Sequence, residues 1–171
     1  MSRISIFSII SFFIYLFYQV LILKNIVLFH TAFCFLYIAF LLLLPVESNP
    51  IILMLIGFAL GFSVDVFYDS LGLHAFVCVL TMYVRNYWLN LVTPQGGYDG
   101  NAIPSLSMNG MQWFLVYIMP MVFLHHTFLF FTEAGGMTPF WFTVLKIIMS
   151  TMFTTLTIVI AQYLFPYRRR L

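Results

Sequence analysis

Residues 56–76, IGFALGFSVDVFYDSLGLHAF, decide the fold class, because they place two carboxylates near the end of an otherwise apolar helix. Gly57, Gly61, Asp65 and Asp69 follow one another at a spacing of four, so they lie along one helix face. Glycines at this spacing let another backbone approach closely, and a carboxylate within lipid costs at least about 2.5 kcal/mol unless it finds a partner. The pattern predicts that this face packs against protein.

The composition of the chain excludes a water-soluble domain. Of its 171 residues 63% are hydrophobic, 20% are aromatic and only 7% are charged, whereas about a quarter of the residues of a soluble domain are charged. The net charge of +2 gives no reason to expect nucleic-acid binding. Cys34 and Cys78 lie inside apolar runs, where thiols pack as small hydrophobes. We therefore expect a polytopic membrane protein without a disulfide framework.

Apolar segments of roughly 20 residues, the length of a membrane-spanning helix, recur along the chain. Ile4–Leu23 is too long for the apolar part of a signal peptide and lacks an Ala-x-Ala site, so it is predicted to be retained. His30 and Thr31 interrupt the start of the second segment, and Pro120 predicts a kink in the fifth. The fold predicted is a compact all-α bundle, a single membrane domain of about six transmembrane helices, at 4–23, 26–44, 51–68, 73–92, 111–131 and 140–165.

The distribution of basic residues predicts the orientation of the chain, since Lys and Arg favour cytoplasmic loops. The tail Arg168, Arg169 and Arg170 is the strongest signal, and with six spans it places both termini in the cytoplasm. Arg3 and Arg85 then lie toward the cytoplasm, and Lys24 and Lys146 toward the outside. The polar, glycine-rich loop over 93–110 becomes cytoplasmic, with a length that favours folding on a partner.

Several roles are open to the two carboxylates. Asp65 lies roughly 20 Å along its helix, within the hydrocarbon, and Asp69 reaches the interface one turn later. The favoured interpretation is that Asp65 caps or hydrogen-bonds a neighbouring helix, through His74, Ser63 or Arg85. The alternatives are a proton or cation pathway, a small-ligand pocket, or a docking point for a partner's membrane helix.

Other polar residues give weaker signals. His125, His126 and Glu133 could hold a metal, because His126 and Glu133 share a helix face, but no metal-binding motif accompanies them. Glu133 could instead pair with Lys146, which begins a series with Ser150 and Thr154 that suits hydrogen bonding between helices. Since no nucleophile or phosphate-loop motif is found, we predict no enzyme, no cofactor and no metal.

A wider pattern resembles a known family. An apolar helix with Gly57, Gly61, Asp65 and Asp69 runs into a turn with Gly72 and His74, and this order resembles that of the rod shape-determining protein MreD family. The loop beginning at Thr93, the stretch HHTFLFFTE at 125–133, the chain length and the basic tail resemble one branch of that family in order and spacing, so that the likeness covers most of the chain.

The resemblance implies a small, non-enzymatic scaffold of the bacterial inner membrane. MreD works beside MreC in the elongation machinery, which links MreB filaments to RodA and penicillin-binding protein 2 during synthesis of the lateral wall. The resemblance further implies a fold similar to the substrate-binding subunits of energy-coupling-factor transporters. Membrane lipid and a second copy of the chain are further partners to be considered, and a vitamin-type transport subunit is the alternative function.

Overall fold

The protein is an almost entirely helical bundle in a computed structural model that describes residues 6–98, 102–135 and 139–166. Five long helices form its frame: α1 Ile6–Leu21, α3 Pro50–Tyr68, α4 Leu73–Leu91, α6 Met111–Ala134 and α7 Phe140–Leu164. The shorter elements are a 3₁₀ turn Leu23–Asn25, a hairpin of β1 Val27–Leu28 and β2 Ala32–Phe33, and the helices α2 Tyr37–Leu42 and α5 Leu106–Asn109.

Local sequence signals set the ends of α3. Asn49 is the N-cap, its side chain accepts the Ile51 N–H at 2.9 Å, and Pro50 follows at the first helical position. The helix ends at Asp69, which adopts the left-handed conformation with φ of 54°. Gly72, with φ of 90°, then begins α4, so that the connection reverses the chain within a few residues. This tight reversal makes α3 and α4 an antiparallel hairpin.

The long helices identify the chain as a membrane protein of the all-helical class. Within the described residues, four helices are long and apolar enough to cross a membrane, at Ser8–Asn25, Pro50–Tyr68, Met111–Ala134 and Phe140–Leu164. α4 is also 19 residues long but carries more polar side chains. α6 continues through Pro120, so this proline does not end the helix. Five of the six predicted segments thus correspond to long helices.

The predicted helix over 26–44 is wrong. In its place the chain forms the hairpin, an extended stretch and then the six residues of α2. The hairpin turns at Phe29 and His30, both with positive φ, and Thr31 N–H donates to the Leu28 carbonyl at 3.1 Å. High hydropathy arises from burial here, not from a helix in lipid, because every residue from Cys34 to Leu42 is buried within the bundle.

Residues 31–44, which we call the central segment, run back through the bundle. The C-terminal parts of α1 and α3 lie together, since Gln19 Nε2 donates to the Tyr68 hydroxyl at 2.9 Å. Their N-terminal parts also lie together, on either side of a shared groove. Because α1 and α3 are therefore parallel, the chain between them must return across the bundle. The central segment makes this return, and most of it is not helical.

The bundle has two ends, which we call the turn end and the loop end. The turn end carries the α3–α4 turn at 69–72, the hairpin tip and the described part of the α6–α7 connection. The loop end carries residues 45–49 and the described parts of the 93–110 loop, which meet where the Val46 N–H donates to the Ala102 carbonyl at 2.9 Å. The hydrophobic core between them draws on all five long helices and on the central segment.

Candidate functional site

The glycine face of α3 is packed against α4 of the same chain. A Cβ atom added to Gly61 would lie 2.5 Å from the His74 carbonyl oxygen and 2.6 Å from the Ala75 Cα. At Gly57 the added atom would lie 3.1 Å from the Met82 side chain. The close approach predicted from the spacing of the glycines is found, and the helix that approaches is α4. This surface is therefore already filled by the chain itself.

Asp65 caps the N-terminus of α4 from the neighbouring helix. Its Oδ1 accepts the His74 N–H at 3.0 Å and its Oδ2 accepts the Ala75 N–H at 2.8 Å. The Ser70 hydroxyl donates to Oδ1 at 2.5 Å. The first N–H groups of a helix lack partners within the helix, and its N-terminus favours negative charge. A carboxylate that is only 5% exposed thus finds three donors, which gives Asp65 the capping role favoured from the sequence.

The partners of Asp65 differ in detail from those that the sequence predicts. His74 contributes its backbone and not its ring, while Ser63 donates to the Ala59 carbonyl of its own helix. Arg85 lies further along α4 and bonds elsewhere. Asp69 is exposed and ends α3, so the two carboxylates differ in their burial within the protein. Gly72 lies in the turn with no atom near its missing Cβ, so its positive φ is what requires glycine.

A buried tyrosine links two histidines in the centre of the bundle. The Tyr37 hydroxyl lies 2.8 Å from His74 Nδ1 and 2.8 Å from His125 Nε2. A hydroxyl has one proton, so it donates to one ring and accepts from the other. His125 Nδ1 is buried without a partner among the described residues. Since an orphan acceptor is tolerated better than an orphan donor, we assign the proton to His125 Nε2 and the tyrosine proton to His74.

His126 has a structural environment and not that of a metal ligand. Its Nδ1 lies 2.7 Å from the Val122 carbonyl and its Nε2 3.2 Å from the Thr154 hydroxyl. Because a carbonyl can only accept, Nδ1 carries the proton and Nε2 of the neutral ring accepts from Thr154. Glu133 pairs with Lys146 at 2.8 Å, as the alternative interpretation predicted. No group of metal-binding side chains occurs within the described ranges.

The side chains of α7 and α1 satisfy the backbone of the central segment. Ser150 and Thr154, one turn apart, accept the Phe33 and Phe35 N–H groups at 2.9 and 3.1 Å. On the other side Gln19 donates to the Cys34 carbonyl at 3.0 Å and accepts the Tyr37 N–H at 3.4 Å. Extended backbone at membrane depth needs such partners. Ser150 and Thr154 therefore supply hydrogen-bond partners that a neighbouring strand would supply in a sheet.

This arrangement predicts a marked effect of Thr154→Val. The valine keeps the shape but leaves the Phe35 N–H and His126 Nε2 without their partner, which we expect to lower the free energy of unfolding by about 1–3 kcal/mol. Unfolding in detergent micelles measures the change. Thr127→Val is the matched control, because among the described residues the Thr127 hydroxyl bonds the Phe123 carbonyl of its own helix and no other group. Equal stability of the two variants would contradict this role for Thr154.

Arg85 is fully buried in the loop half of the bundle. Its Nε donates to the Tyr117 hydroxyl at 2.9 Å, and its Nη2 donates to the carbonyls of Leu42 and Leu44 at the end of α2. Carbonyls at a helix C-terminus attract a cation. Nη1 has no hydrogen-bond partner in the part of the chain that the structure describes. Arg85 is thus a charge in the interior of the bundle.

Sequence reasoning missed Gln19 and Tyr37, each of which makes several hydrogen bonds in the interior of the bundle. Each is a single polar or amphipathic residue in a long apolar run. Such a residue could have been identified from the sequence, because a buried polar group in a membrane segment needs a partner. Lys146, found beside Glu133, also lies over the Phe130 ring at 4.2 Å from its centroid. Arg3 and the predicted topology anchors Arg168, Arg169 and Arg170 fall outside the described residues.

Comparison with known protein families, with curated proteins and with solved structures finds no match for this chain.

Proposed function

We propose that the chain is a non-enzymatic scaffold of the bacterial inner membrane, of the MreD type, which holds an MreC-type partner beside the elongation machinery. One observation carries the proposal: polar side chains that belong to the MreD-like pattern are buried and find their hydrogen-bond partners inside the bundle, while the outward faces of the helices carry large apolar side chains. Asp65 and His74 belong to this interior set. Other membrane helices can pack against the apolar outer surfaces of such a molecule.

The buried polar residues that a vitamin-type transport subunit would use do not line either of two cavities in the described part of the bundle. A ligand-binding subunit needs a pocket with a few convergent polar groups. A surface cavity of about 610 Å³ lies at the loop end, between Leu91 and Trp113, and a groove of about 210 Å³ lies between α1 and α3. Neither is lined by Asp65, His74, His125 or His126. Phe35 instead packs against the histidine rings, with centroids 5.4 Å from His74 and 5.5 Å from His126.

The outer face of α3 is the surface that we propose for the partner helix. Leu55, Phe58, Phe62 and Val66 recur there at helical spacing, and each is more than half exposed. The Phe58 and Phe62 rings stack with centroids 5.9 Å apart, which makes a flat apolar surface. A transmembrane helix gains from van der Waals contact with such a surface. The glycine face cannot take this role, because α4 covers it.

The test is purification of the tagged chain from membranes of its own host in mild detergent, followed by mass spectrometry. We expect a stoichiometric bitopic protein with a coiled-coil extramembrane region, and rounding of rod-shaped cells when the chain is depleted. Replacing both Phe58 and Phe62 with alanine should reduce recovery of this partner. Phe123→Ala with Phe128→Ala, exposed on α6, is the matched control.

Three outcomes would count against this function. A stoichiometric small molecule without a protein partner would favour the transport subunit. Depletion that leaves cell shape unchanged would remove the link to elongation. Equal partner recovery with the α3 and α6 variants would show that the outer face of α3 is not the docking surface.

A further inference from the structure

The groove between α1, α2 and α3 is a mostly apolar slot. Its walls are formed by Phe12, Phe40, Ile52 and Ile56, and Ser8 and Ser48 supply hydroxyls. Ser48 precedes α3 and Ser8 lies in the first turns of α1, so these hydroxyls mark the loop end. The lining therefore changes from polar at the loop end to apolar toward the middle of the bundle.

The volume and length of the groove fit a lipid acyl chain and not a helix. Its volume is about 210 Å³, and a group the size of a water takes about 30 Å³, so roughly seven chain carbons fit. The wall from Ile52 to Ala59 rises roughly 10 Å along α3. A transmembrane helix is about 10–12 Å wide with its side chains and does not enter such a slot. A single acyl chain is narrow enough to lie in the groove.

The buried guanidinium of Arg85 lies next to one wall of the groove. Arg85 donates to the Leu44 carbonyl, and Leu44 itself lines the groove. The hydrogen-bond partners of Arg85 among the described residues are two carbonyls and a hydroxyl. Its Nη1 has no hydrogen-bond partner among these residues. The guanidinium therefore has no hydrogen-bonded counter-ion in the described residues, and its field is poorly screened by the protein. Glu47 is close in sequence but exposed, so solvent screens its charge.

We propose that this groove is a binding site for a membrane phospholipid. One acyl chain lies between α1 and α3, and the phosphate lies at the loop end near Ser48, on the side of the bundle where Arg85 supplies positive charge. α1 is mostly exposed otherwise, so the bound chain completes the packing between α1 and the rest of the bundle. The site does not depend on the proposed scaffold function.

The first experiment is native mass spectrometry of the full chain after prolonged washing in dodecylmaltoside. A single phospholipid should remain bound. Ile56→Trp fills the groove and should release it, whereas Leu55→Trp, on the neighbouring exposed position, should retain it. Ala59→Phe is a second groove variant, should Ile56→Trp fail to fold. Retention by both groove variants, or loss from the unaltered chain, would overturn the acyl-chain site.

The second experiment separates the acyl chain from the phosphate. Dioleoylphosphatidylglycerol added to the delipidated chain should raise its unfolding midpoint, and dioleoylglycerol, which lacks the phosphate, should raise it much less. An equal rise with both lipids would overturn the phosphate part of the proposal. A rise that persists in Ile56→Trp would place the lipid elsewhere.

Discussion

Replacing Gly61 with leucine is expected to abolish the folded bundle. The first added atom alone would lie 2.5 Å from the His74 carbonyl oxygen and 2.7 Å from the Ala75 nitrogen. These atoms belong to backbone that Asp65 holds in place, so they cannot turn aside like a flexible side chain. We expect a loss of at least about 3 kcal/mol, the upper end of ordinary overpacking costs. Size-exclusion chromatography and unfolding in micelles measure the result.

Two variants of α3 serve as comparisons for Gly61→Leu. Val66→Leu, at an exposed position, should leave stability nearly unchanged. Gly57→Ala should have an intermediate effect, because its nearest neighbour is the flexible Met82 side chain at 3.1 Å, although the Cys78 carbonyl lies 3.2 Å away. A folded, fully stable Gly61→Leu protein would show that α3 and α4 are not in this close contact.

The second large effect is expected for Asp65→Leu. Leucine removes the acceptors of the His74 and Ala75 N–H groups and leaves both buried at the start of α4. An unpaired buried donor costs about 1–3 kcal/mol, so the free energy of unfolding should fall by about 2–6 kcal/mol. The loss of the Ser70 hydrogen bond adds to this cost. Thermal or denaturant unfolding in micelles measures the sum.

Asp65→Asn separates hydrogen bonding from titration. Both carboxylate oxygens accept, so the amide keeps one acceptor and turns an NH₂ group toward one of the former donors. We expect it to lose about 1–3 kcal/mol and so to lie between the natural protein and the leucine variant. Asp69→Asn, at the exposed end of α3, is the control and should have little effect. Equal, complete loss of cell-shape maintenance in Asn and Leu variants that remain stable would contradict a role through hydrogen bonding alone.

The long helices could be predicted from sequence because membrane thickness and turn chemistry leave separate signals. α3 was expected over 51–68 and is found at Pro50–Tyr68; the agreement comes from Pro50 at one end and the Asp69–Gly72 turn at the other. The same reasoning failed over 26–44. Hydropathy reports transfer out of water, and it is equally high for a helix in lipid and for irregular backbone inside protein.

The candidate site was predictable in part for a related reason. The spacing of Gly57, Gly61 and Asp65 is a property of one helix, so their shared face and need for a partner follow from local sequence. The partner of Asp65 does not follow, because it is the backbone of residues 74 and 75 and becomes available only through the turn geometry. Tyr37 meets His125 across 88 positions of the chain, and no local pattern encodes that distance.

The return of the central segment through the bundle has a consequence for how the chain is assembled in the membrane. Phe33 and Phe35 bond to side chains that lie 117 and 119 positions later, so their partners do not yet exist when the segment leaves the ribosome. Backbone without partners is costly in hydrocarbon and tolerable in water or beside a polar interface. The segment can therefore form these hydrogen bonds only after α7 has been synthesised. A helix that follows later in the chain thus completes the packing of the central segment.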